Sequence, residues 1–81
     1  MFKVDAEVKE ARGRNYQSAR EAVGLTRADA ARALGISAST LRSWEAGRTE
    51  PKLLGLIDMM HLYGVRSADD LFLVKEAADR G

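Results

Sequence analysis

The stretch "TRADAARALGISASTLRSWEAG", residues 26–47, decides how the rest of the chain is read. Two short helical patterns meet in it across one glycine. Thr26 is a capping residue type, and Asp29 stands three places on, in the acidic position of a capping box. Ala30, Ala31 and Leu34 then fall on one side, and Gly35 is placed to stop the helix. Ser37 caps a second segment, in which Leu41 and Trp44 lie about one turn apart, and Gly47 ends it. From Leu34 to Ser37 there is room only for a sharp turn, so the two helices must cross steeply. The side of the second segment away from Leu41 and Trp44 is nearly bare. It carries Ala38, Ser39, Arg42, Ser43 and Ala46.

Outward from this pair the glycines act as punctuation. Tyr16, Ala19 and Val23 predict a helix over 16–23, capped by Asn15 and stopped by Gly24. Pro51 suits the first turn of a later helix. Leu53, Leu56, Ile57 and Met60 form its apolar stripe, and Gly64 ends it. Ser67 caps a short helix that begins Ala68-Asp69-Asp70. Residues 1–13 read as an N-terminal extension, holding a short helix or strand before Gly13. Residues 14–74 read as the domain and 75–81 as a fraying tail. Strand patterns are scarce, so the expected architecture is a compact all-α domain of five short helices. The link between the second and third has helix-turn-helix geometry.

Composition sets outer bounds. The 81 residues suffice for one small domain. Hydrophobic residues at 46% are too many for a disordered chain. The chain has no cysteine, which excludes disulfides and thiolate metal sites. No apolar run approaches the roughly 18–20 residues that span a bilayer. The opening MFKVDAEVKEARGR has no long apolar core, so no secretory signal is expected and the cytoplasm is the expected compartment. Net charge is only +1, but residues 12–52 hold eight Arg or Lys against four acids. The positive charge therefore sits mid-chain, flanked by slightly acidic ends.

Residues 26–45 resemble the Cro/phage-repressor (XRE) type of helix-turn-helix. The resemblance rests on Ala31, Gly35-Ile36, Leu41 and Trp44-Glu45, and continues through GRTEP (47–51) and LYGVRSADDL (62–71). It covers about residues 14–72. It implies a lambda-repressor-like domain that binds double-stranded DNA in a prokaryotic or phage-type transcription regulator, a repressor. Three departures stand out. Arg27 occupies a position where the family often has Gln contacting a phosphate. Ala19 and Ala30 stand where Leu is common, which implies either a thinner core or one filled by Tyr16 and Met59. Ala38 and Ser39 stand where longer base-reading side chains are common.

On this reading the third helix enters the major groove, with Ala38, Ser39, Arg42 and Ser43 against the bases. Its small residues permit a deep approach, and Arg42 suits bidentate contact with a guanine. Thr26, Arg27, Ser37, Arg48, Thr49 and Lys52 are the expected phosphate contacts. Arg14 and Arg20 add to the basic field. Trp44 is expected in the core, and Glu45 is expected to pair with Arg27 or Arg32. The run Leu71-Phe72-Leu73-Val74 is too apolar for one helix face. It fits either excess folded over the core or a homodimer surface that serves a two-fold site.

The chain offers no catalytic constellation. His61 is its sole histidine, no phosphate-loop motif occurs, and Ser37, Ser39 and Ser43 have no base beside them. No cofactor or metal is expected. The competing reading is a protein-interaction module, antitoxin-like or an adaptor, that keeps the fold with weak or no DNA binding.

Overall fold

The computed structural model describes residues 6–72. They form five α-helices: α1 (Ala6–Ala22), α2 (Arg27–Leu34), α3 (Ala38–Glu45), α4 (Leu53–Tyr63) and α5 (Asp69–Phe72). No strand occurs among the described residues, in line with the expected all-α architecture.

The helix-turn-helix is built by the local signals in its sequence. Thr26 is extended (φ −74°, ψ 162°) and its side chain accepts a hydrogen bond from the Asp29 N–H at 3.1 Å. Ser37 does the same for the Thr40 N–H at 3.0 Å. Each cap satisfies one of the orphan donors at a helix start. Between them, Gly35 takes φ +73°, a left-handed conformation open to a residue without Cβ. The Gly35 N–H bonds to the Arg32 carbonyl (3.2 Å) and the Ile36 N–H to the Ala31 carbonyl (3.0 Å). These two bonds close α2 as a Schellman motif and turn Ile36 back onto the core.

α1 packs on α3, α4 and α5, and α2 packs on α3 and α4. The core between them holds Tyr16, Ala30, Ala31, Leu41, Trp44, Leu56, Met59, Tyr63 and Leu71. Ala30 and Ala31 let α2 approach closely, and the bulk comes from Tyr16 and Met59, as the small residues at 19 and 30 require. The Asn15 side chain donates to the Leu71 carbonyl at 2.9 Å, which ties α5 to α1.

Four sequence expectations are corrected. First, α1 starts near Ala6 and runs through the boundary expected at Gly13. That glycine is helical and buried because α3 ends against it. A Cβ there would collide with the Glu45 carbonyl and lie 2.9 Å from that of Trp44. Asn15 is therefore mid-helix and caps nothing on α1. Second, Val23 is exposed, because α1 ends at Ala22 before reaching it.

Third, α4 begins at Leu53, with Lys52 extended in the cap position and Pro51 ahead of it. Its buried stripe is Leu56, Met59 and Tyr63; Leu53 and Ile57 face solvent. Gly55 sets this phase, since a Cβ on it would lie 3.2 Å from the Trp44 indole. Fourth, Leu71 is fully buried in the core. It belongs to the core and offers no surface for a dimer. The Phe72 side chain, Leu73 and Val74, the rest of that run, lie outside the described residues, as does the 75–81 tail.

Candidate nucleic-acid interface

α3 is held from behind by one carboxylate. Glu45, at its last turn, is 5% exposed and accepts from two helices at once. Arg20 of α1 gives Nε to Oε2 at 2.8 Å and Nη2 to Oε1 at 3.2 Å. Arg27, the first residue of α2, gives Nε to Oε1 at 3.1 Å. The Arg20 Nη1 donates to the Leu25 carbonyl at 2.8 Å, so its fork is used on both sides. A buried carboxylate needs such partners, since desolvation without them costs several kcal/mol. The hydrogen bond to Glu45 holds the Arg20 guanidinium above its ordinary pKa, against the opposing effect of burial.

This cluster revises two expectations. Arg20 is buried and ion-paired, so it adds nothing to an exposed basic field. Glu45 pairs with Arg27, as expected, but not with Arg32, which turns to Asp29 at 3.2 Å. The Arg20 partnership was missed because the two residues are 25 positions apart. One signal was present: Arg20 lies four residues after Tyr16, on the buried side of α1, where an unpaired charge is not tolerated.

Tyr63 completes the back of the cluster. Its hydroxyl is buried and has no hydrogen-bond partner among the described residues. Burial pushes its pKa up to about 12, the Glu45 charge adds to the rise, and Arg20 opposes it.

The front of α3 is presented to solvent. Ser39, Arg42 and Ala46 are exposed, and Ser43 is half-buried. Ala38 is half-buried and packs against the core, so it lies at the edge of this face. Among the described residues no carboxylate comes within ion-pair distance of Arg42. The same holds for Arg14 and Arg48. Arg12, Arg20, Arg27 and Arg32 by contrast each face an acid. Ion pairing thus separates the mid-chain cations into structural ones and ones with their charge to spare.

The expected phosphate contacts divide in the same way. Thr26 and Ser37 are exposed, with side chains engaged in capping; Ser37 also shares a 2.9 Å hydrogen bond with the Thr40 hydroxyl. Arg27 is half-buried on Glu45. Arg48, Thr49 and Lys52 are exposed on the segment joining α3 to α4, and Lys52 makes no capping hydrogen bond. That segment rests on α1. Gly47 has φ +77°, and a Cβ there would lie 2.9 Å from the Glu10 backbone.

No group of His, Cys, Asp or Glu suited to a metal ion occurs among the described residues. None of their helices is long and apolar enough to cross a membrane. No significant match to the chain is found among curated proteins or solved structures. A family model described as helix-turn-helix, HTH_3, matches residues 17–71, from the middle of α1 into α5. The chain therefore belongs to the helix-turn-helix family of Cro/C1 (XRE) type, a family of DNA-binding transcription regulators.

Proposed function

We propose that the protein binds double-stranded DNA sequence-specifically, with α3 in the major groove, and acts in the cytoplasm as a transcriptional repressor. The observation that carries this reading is Arg42. It stands exposed and without a carboxylate partner among the described residues, on a helix face otherwise made of small side chains. Small neighbours let a helix sit deep, and an unpaired guanidinium has its fork available for a guanine edge. Ser39, Ser43 and the edge residue Ala38 supply the remaining base contacts. Thr26, Arg27, Ser37, Arg48, Thr49 and Lys52 position the domain on the phosphates.

Selection of bound sequences from a random duplex pool, followed by titration at two salt concentrations, tests this directly. Of the phosphate-directed residues, Arg48 and Lys52 are the two cations with no acid partner among the described residues, which gives a log–log salt slope of about −2 per copy. Arg42→Ala removes roughly 1–3 kcal/mol of preference for the selected site and leaves non-specific binding largely intact. Equal loss on every sequence makes Arg42 a phosphate contact. Absence of binding at low salt overturns the reading in favour of a protein-interaction module.

A further inference from the structure

Residues 46–52 join α3 to α4 and carry two of the expected phosphate cations, Arg48 and Lys52. An acid, Glu50, stands between them, two positions from each. All three side chains are exposed. A carboxylate in that place can pair with a neighbouring cation and cancel it, or stand beside an incoming phosphate and repel it. The folded chain does neither. Glu50 Oε1 lies 3.8 Å from Nη1 of Arg12, on α1. Among the described residues no acid comes within ion-pair distance of Arg48 or Lys52.

Arg12 is placed for this by the way α1 meets the segment. Gly13, the next residue, lies beneath the last carbonyls of α3, and the Glu10 backbone lies against Gly47. The turn of α1 from Lys9 to Gly13 therefore follows the chain out of α3, and Arg12 meets it again at Glu50. Glu10 is the other acid on this turn, and no ion pair links it to either cation among the described residues. Both Arg12 and Glu50 act on the buried Tyr16 phenol: burial raises its pKa most, Glu50 raises it further and Arg12 lowers it. This turn of α1 precedes residue 17, where the helix-turn-helix match begins. The partner of Glu50 thus comes from outside the matched segment.

We infer that Arg12 is a positioning residue for the phosphate-facing segment: it holds the Glu50 carboxylate, so that Arg48 and Lys52 keep their full charge for the duplex. Magnitudes favour this role over a stabilising one. A partly exposed pair at 3.8 Å, with side chains 27% and 46% exposed, adds little to the fold. On the DNA side, one released carboxylate cancels one of two cations, and with it about one of the two counterions displaced on binding. The use of the pair on DNA rests on the proposed function; the pair itself does not.

The test reads the salt dependence of binding to a mixed-sequence duplex by fluorescence anisotropy, so it needs no operator. The unsubstituted chain gives a log–log slope of about −2. In Arg12→Gln the slope falls toward about −1 and affinity at low salt drops roughly two- to fivefold, alike on every sequence. Adding Glu50→Gln restores both, and Arg12→Gln has no effect of its own in that background. Arg12→Lys, which keeps the charge, keeps the slope. Circular dichroism melts confirm that each variant is folded, and Arg12→Met, which keeps the packed stem, replaces any Arg12→Gln protein that is not. A slope left at −2 by Arg12→Gln overturns the inference. So does an equal fall with and without the Glu50 carboxylate, which makes Arg12 a phosphate contact in its own right. Absence of binding by the unsubstituted chain is a different result: it overturns the DNA reading, and this role with it.

Discussion

Glu45 shows how a single side chain can be plain in the sequence while its role is not. It stands next to Trp44 at the end of a well-marked helix, and its pairing with Arg27 follows from the short helix-turn-helix. Its stronger partner, Arg20, comes from another helix, and no local pattern specifies that meeting. Glu45→Ala would leave buried Arg20 with only the exposed Glu21 at 3.9 Å, so a loss of roughly 3–5 kcal/mol is expected in denaturant melts. Tyr63 behaves oppositely. Its hydroxyl has no partner among the described residues, so Tyr63→Phe removes a desolvated polar group and should leave stability at neutral pH equal or higher. The same residue sets an alkaline limit. Its folded pKa of about 12 lies above the ordinary 10.0, so its ionisation costs the fold nothing below pH 10, and stability falls as pH rises from 10 toward 12. Alkaline unfolding followed by circular dichroism should therefore be less steep in Tyr63→Phe. Tyr16, also raised by burial, acts in the same direction.

At the level of the helix, local chemistry was legible wherever it was sufficient. The caps at Thr26 and Ser37 and the glycine turn between them depend on neighbours within four residues, and all three stand as read. Ser37→Ala should cost about 1 kcal/mol, measurable as a lower urea midpoint with an unchanged slope. Elsewhere the same signals have a second meaning. Gly13 resembles a helix stop, yet it is a contact point inside α1. Helix propensity alone makes Gly13→Ala stabilising by about 0.5–1 kcal/mol. Collision with the end of α3 costs about 1–3 kcal/mol, so the variant should be destabilised, and the sign of the change distinguishes the two. The phase of α4 could not be read for a related reason. Apolar residues occupy nearly every position from Leu53 to Tyr63, so more than one stripe fits the helical period. Packing of Gly55 against Trp44, a tertiary contact, chooses between them.

For the molecule as a whole, charge counting in the sequence located the basic segment and overstated its free charge. Arg12, Arg20, Arg27 and Arg32 are all engaged by acids, and only the folded chain shows which cations remain. The same sorting predicts a measurable linkage. A duplex that binds the native state alone raises the thermal midpoint with DNA concentration, and the increment should shrink as salt is added. Arg32→Ala, on a pair exposed on both sides, should leave that increment nearly unchanged.

The join between α1 and the far end of α3 has a consequence for selectivity. Gly13 fits beneath the terminal carbonyls of α3, and Gly47 lies against the Lys9–Glu10 backbone, so the third helix is held at its exit as well as at its cap. A probe fixed in that way does not tilt to follow a poorly shaped groove; the duplex has to accommodate it. If α3 enters the major groove as proposed, with so few side chains to inspect base edges, much of the discrimination shifts to how cheaply a given DNA bends or narrows. Operators differing only at untouched central base pairs should separate in affinity, with flexible steps such as TA or CA favoured over stiff ones.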